Sequence, residues 1–148
     1  MDFSGTQTIA EPIDKVWAFL VDVNNVAVCA PGFQSLEVLG EEHWKANVGV
    51  GIGSFKAKFV VDVTRLEMHE LEQMVMKARG KAPGSAVDMS GNLQFVSLDD
   101  ALTRVDWQAN VVVSGTITSV GTRLLRGTAE RITKQFFACL FTKLRVPE

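Results

Sequence analysis

The chain has 148 residues, 47% of them hydrophobic and 22% charged, which is the composition of an ordinary globular protein with enough length for one domain and a sizeable core. A net charge of -2 and a pI near 5.7 argue against nucleic acid as a main partner, because phosphate binding needs a basic surface. No apolar run reaches the roughly 18 to 20 residues that cross a bilayer, so any membrane contact is expected to be peripheral. No signal peptide precedes the first strand, so a cytoplasmic location is expected, with Cys29 and Cys139 as free thiols.

Phe3 to Ile9 alternates loosely and predicts a strand. Pro12 then opens a helix whose apolar positions, Ile13, Val16, Trp17 and Leu20, recur on one face. Asp22 to Asn25 interrupts it, and a second short helix, Val26 to Cys29, ends at Ala30-Pro31-Gly32. Strands follow. Leu36 to Leu39 is short, Trp44 to Ile52 and Phe55 to Thr64 alternate cleanly, and Met74 to Arg79, Val87 to Phe95 and Val105 to Val113 complete the set. Short turns between successive strands predict an antiparallel meander with one packed face. Ile117 to about Leu144 predicts one long amphipathic helix. With no repeat, linker or low-complexity segment, residues 1–148 read as a single α+β domain: a curved antiparallel sheet of about seven strands around a long C-terminal helix, with two short helices after the first strand.

The inward faces read as free of charge, and they mix small residues (Ala46, Ala57, Ala78, Gly91, Ala109) with large ones (Phe59, Met74, Met89, Trp107). Small residues facing a sheet–helix gap leave volume for an apolar pocket with an adaptable methionine lining. The alternative is that large neighbours fill the gap, as dense native cores do. Gly121, Gly127 and Thr128 fall along or beside the apolar stripe of the last helix, which suits either spare room or close packing, the latter favoured for Gly127. Phe136, Phe137, Leu140, Phe141 and Leu144 cover a wider face than one sheet contact needs. Phe137 and Phe141 are therefore candidates for a partner surface, a dimer contact or a membrane edge.

Catalytic signals are missing. His43 and His69 fall in turns beside acidic residues and lack metal spacing, so no metal site is expected. Gly49-Val50-Gly51-Ile52-Gly53 looks like a phosphate loop, but no helix follows it, and it reads as a bend or bulge. Asp62 falls on the outer face, and no carboxylate reaches the interior for general acid–base work.

Several segments together carry a family resemblance: Phe3-Ser4-Gly5, the run Pro12 to Leu20, Asp22, Cys29-Ala30-Pro31-Gly32, Gly115-Thr116-Ile117 and the run Val120 to Leu125. Across almost its whole length the chain resembles the CoxG family of carbon monoxide dehydrogenase subunits, within the START-like, Bet v 1-like (SRPBCC) superfamily. The resemblance implies a helix-grip fold and an accessory protein to a molybdenum-containing dehydrogenase, often linked to its attachment to the cytoplasmic face of the membrane. It also implies an apolar cavity for a lipid or isoprenoid quinone, serving electron transfer to the respiratory chain. Many members carry a variable tail for membrane attachment beyond the closing helix, whereas this sequence ends at Glu148. The expected function is thus non-enzymatic ligand binding. Lining candidates are Phe59, Met74, Met76, Met89, Leu93, Trp107, Ala109, Leu124, Thr128 and Phe136, with Pro31 and Gly32 in an adaptable loop at the cavity mouth. A cyclase- or hydrolase-like enzyme and a cavity-less adaptor are the rival expectations, and a homodimer is left open.

Overall fold

In the structure, a computed structural model that describes residues 1–144, the alternating segments become β-strands and the periodic ones helices. In chain order these are β1 (Asp2–Ile9), α1 (Ile13–Val21), α2 (Val23–Ala27), β2 (Phe33–Gly40), β3 (His43–Ile52), β4 (Phe55–His69), β5 (Gln73–Ala82), β6 (Ser85–Asp99) and β7 (Leu102–Gly115). A short 3-10 turn (Thr116–Val120) and α3 (Thr122–Leu144) follow. The seven strands form one antiparallel sheet in the order β1-β7-β6-β5-β4-β3-β2. β2 to β7 make the expected meander, and β1 pairs with β7 at the far edge. α1 and α2 therefore carry the chain from one edge of the sheet to the other.

Local chemistry sets several boundaries away from their expected places. Asp22 does not merely interrupt the first helix. Its carboxylate accepts the backbone N–H of Asn24 at 2.9 Å and caps α2, which starts at Val23 rather than Val26. β4 and β6 outrun their alternating stretches because register shifts between Arg65 and Glu67 and between Ser97 and Asp99 break the period of two without ending the ladder. The glycine-rich stretch in β3 does not bulge against β4: it pairs with β4 in unbroken register to Ile52, and Gly53, at φ 60, makes the turn. The closing helix is not continuous. Gly115 and Gly121, at φ 84 and φ 90, bracket the 3-10 turn, so Gly121 is the break before α3 rather than part of its stripe.

α3 crosses the inner face of the sheet and is held at both ends. Its 23 residues span about 34 Å at 1.5 Å per residue. At its start Leu125 is buried with Ile52, Phe59 and Ile117. At its finish Leu140 and Leu144 join Val16, Trp17, Met74, Phe95 and Val105 in a second, larger core. Trp17 meets Phe95 there edge-on at 5.0 Å between ring centroids.

The free-thiol expectation is overturned. Cys29, at the end of the α2 turn, is disulfide-bonded to Cys139 on α3, with their Cα atoms 5.5 Å apart. Compartment chemistry alone suggested reduced thiols. It carries no information on proximity, which arises because the α2 turn and the last turns of α3 share the larger core. The bridge closes a sequence separation of 110 residues. Reduction is expected to lower the unfolding free energy by about 2–4 kcal/mol, read from urea denaturation with and without reductant. Identical midpoints would mean that the folded protein carries no such bridge.

Candidate functional site

The sheet is buried against α3 at the two ends of the helix and stands open to it in the middle. Between Leu125 and Leu140 no residue of α3 is buried, although Thr128, Ala129, Ile132, Thr133 and Phe136 are half-buried. Inner-face positions of the sheet behave alike: Met76, Ala78, Met89, Gly91, Leu93, Trp107, Ala109 and Val111 are all half-buried. An apolar belt between two closed cores is therefore reached by solvent, and its small side chains create the room.

Trp107 gives this belt an unpaired polar group, whereas the Thr128 and Thr133 hydroxyls donate to helix carbonyls. Its indole lies against Gly5, its register partner on β1, where an added Cβ would sit 2.7 Å from the ring. The Nε1 donor is shielded from solvent and has no hydrogen-bond partner among the described residues. Phe137 packs on the same ring at 5.9 Å and stacks on Phe141 at 6.2 Å. Phe137 and Phe141 are thus half-buried, with one side against the larger cluster. The end of α3 meets both the sheet and the α2 turn, so a wide apolar face is covered from two sides.

The other expected site residues divide. Met89, Trp107, Ala109 and Thr128 border the open belt, and Met76, Leu93 and Phe136 adjoin it while packing on the larger core. Phe59 and Met74, 4% and 1% exposed, lie inside the two cores and form the ends of the space. Leu124 faces outward, 46% exposed, beside the β3–β4 turn, because the break at Gly121 rotates the first turn of α3. It borders a surface groove of about 530 Å³ with Val120, Arg123, Gly127, Thr128 and Arg131. Gly127 has open space where a Cβ would be, so it does not serve close packing. Gly32 is fixed rather than adaptable. It adopts φ 80, its carbonyl accepts the Gly49 N–H at 2.9 Å, and a Cβ there would collide with the Gly49 oxygen. Pro31 beside it is half-buried.

Residues 5–145 match the model of the carbon monoxide dehydrogenase CoxG subunit family. The chain belongs to that family. A conserved protein from Geobacillus kaustophilus superposes with a TM-score of 0.90 at 22% identity, over 97% of this chain and 95% of that one. A START superfamily protein from Mycobacterium smegmatis gives 0.74 at 13% identity, covering 97% and 96%. The ZhuI aromatase/cyclase from Streptomyces sp. R1128 gives 0.71 at 18% identity, covering 97% and 93%. These likenesses establish the START-like helix-grip fold. Among curated proteins none matches the sequence.

In this CoxG chain the inner face does carry one charge, against the expectation of charge-free inward faces. Arg65 is 7% exposed and is the only charged residue buried among those described. Its guanidinium donates to the Val21 carbonyl at the end of α1, stands 3.7 Å from the Glu42 carboxylate and lies over the Trp44 ring at 4.7 Å. Burial pushes its pKa down, while Glu42 and Asp22 oppose the shift. Extending the inward alternation of Phe59, Val61 and Val63 by one step would have found it, but the adjoining bulge hid the strand's continuation. Bound to a helix C-terminus and an aromatic face, Arg65 fastens the α1–α2 corner to the sheet. His43 bonds Asp62 at 2.8 Å on the outer face, and no cluster of His, Cys, Asp and Glu suited to a metal occurs among the described residues.

Arg65→Ala is expected to cost about 2–4 kcal/mol of stability, through a lost charged hydrogen bond and lost packing. Equilibrium denaturation measures it, and a change below about 0.5 kcal/mol would remove the fastening role, since that is the range of neutral surface substitutions.

Proposed function

We propose that the belt beneath α3 binds an apolar small molecule and that the protein serves, without catalysing a reaction itself, as an accessory to a molybdenum-containing dehydrogenase of the carbon monoxide dehydrogenase type. The observation that carries the reading is the middle of α3. About 20 Å of helix buries no side chain, while the sheet positions facing it are apolar, small or flexible, and half-accessible. Leaving apolar surface wet is unfavourable by roughly 25 cal/mol per Å², so a hydrophobic occupant would be stabilised there.

Within that class the reading favours an isoprenoid quinone over a plain hydrocarbon chain. The unpartnered Trp107 donor is the kind of group that a ligand carbonyl would satisfy, and burying such a donor unpaired is costly. A bound quinone fits a role in moving electrons from the partner enzyme to a membrane. A cyclase- or hydrolase-like activity would need an ionisable group in the belt. The one buried charge, Arg65, is engaged at the α1–α2 corner instead.

Calorimetric titration with a short-chain isoprenoid quinone and with a fatty acid tests the proposal. Ala109→Phe, which fills the belt, is expected to weaken quinone binding at least tenfold with the circular dichroism spectrum unchanged. Trp107→Phe should weaken the quinone about fivefold, the loss of one hydrogen bond of about 1 kcal/mol, and leave the fatty acid unaffected. Binding of neither probe to the unaltered protein, or binding that Ala109→Phe does not touch, would overturn the carrier reading.

A further inference from the structure

The two halves of α3 are held in different ways. In the first half Arg126 and Arg131 donate to the Asp2 and Gly51 carbonyls at 3.4 and 3.3 Å, beside the packing of Leu125. Beyond Arg131 the helix makes no hydrogen bond or ion pair to the rest of the protein among the described residues. Its hydroxyls, on Thr133 and Thr142, turn back to the helix's own carbonyls. What ties this half down is apolar packing, which is non-directional, and the Cys29–Cys139 bridge.

The other side of the bridge is firmly seated. The Cys29 N–H donates to the Val26 carbonyl at 3.1 Å, and Gly32, just beyond, is bonded to Gly49 on β3. Asp22 caps α2, and Arg65 holds the Val21 carbonyl before it. The bridge thus joins a turn fixed by hydrogen bonds to a helix end fixed by packing alone. Within one helical turn of Cys139 lie Phe136, Phe137 and Phe141, and Phe137 packs on the Trp107 ring that carries the unpaired donor. The bridge therefore sets where these rings close over one end of the belt.

We propose that the Cys29–Cys139 bridge is a redox latch: as a disulfide it holds the end of α3 and Phe137 over the belt, and its reduction by a dithiol frees that end to exchange what the belt holds. Cys139 is half-buried whereas Cys29 is buried, so the Cys139 sulfur is the one a reductant reaches. A thiolate of the dithiol attacks it, the S–S bond breaks and Cys29 leaves as a thiolate. The second thiol of the dithiol then displaces Cys139 and closes the reductant's own disulfide. Two electrons and two protons pass to the protein, which ends with two thiols. Without the bridge, opening the helix end breaks only apolar contacts, and local openings of this kind cost far less than global unfolding. Control of a ligand rests on the carrier reading above; the latch itself stands on how the two sides of the bridge are held.

The test is hydrogen exchange of the whole protein, followed by mass spectrometry before and after treatment with dithiothreitol, with thiol alkylation reporting that the bridge has opened. Amides of residues 132–144 are expected to exchange about tenfold faster after reduction, while β3 and β4 amides beside Ile52 and Phe59 keep their rates. Cys139→Ser should show the same fast exchange without reductant and no response to it. Dissociation of a short-chain isoprenoid quinone is compared between the unaltered protein and Cys139→Ser, without reductant because a dithiol would reduce the quinone itself. A rate about tenfold higher in the variant is expected. A bridge that dithiothreitol leaves intact in the folded protein, unchanged exchange at residues 132–144, or an equal increase across the sheet would overturn the latch. Faster exchange with unaltered quinone dissociation would overturn its control of the belt. If quinone binds neither protein, the carrier reading fails and the exchange result decides the latch by itself.

Discussion

α3 is buried at its two ends and only half-buried between them, and the rest of the structure follows from that constraint. Leu125 holds one end against Ile52, Phe59 and Ile117. Leu140, Leu144 and the Cys29–Cys139 bridge hold the other against α1, the α2 turn and the sheet. A helix pinned at points about 22 Å apart cannot settle onto the sheet in the middle unless the side chains there are large enough to meet. Ala78, Gly91 and Ala109 on the inner face of the sheet, and Thr128, Ala129 and Thr133 on the half-buried side of the helix, are small. The space is therefore a consequence of where the large residues have been placed.

The same constraint explains the glycine breaks. A continuous helix from Ile117 would have carried the direction of the 3-10 turn across the sheet. Instead Gly115 and Gly121 let the chain fold Ile117, 2% exposed, into the smaller core and set off again as α3. The break takes Leu124 out of the interior and leaves it at the surface among arginines. One backbone device thus closes the smaller core and leaves Leu124 exposed.

The fold was largely legible in the sequence because each element announces its own period. Strand alternation, the Pro12 helix start and the Pro31-Gly32 break are local signals, and the antiparallel order follows from short turns. The site was legible in its small residues and methionines but not in its boundaries. Phe59 and Met74 share an inward parity with Met76 and Met89, and parity cannot tell a core end from an open middle. Leu124 and Leu125 differ by one position on a helical stripe, so the φ 90 of Gly121 decides which is buried. Arg65 and the disulfide were hidden for different reasons, a bulge beside the first and a separation of 110 residues within the second.

Arg65 bears on the choice between carrier and enzyme. A catalytic interior places an ionisable group where substrate can reach it, whereas this interior commits its one buried cation to the α1–α2 corner. Its Nη groups go to a helix-end carbonyl and toward Glu42, and its face goes to Trp44. The corner so fixed holds the α2 turn, and the α2 turn holds the far end of α3 through Cys29. Buried charge in this protein therefore works as a fastening at one end of the sheet. The apolar middle keeps a single unpaired donor, Trp107. That separation is what the proposed carrier would use, an apolar middle with its charge kept away from it.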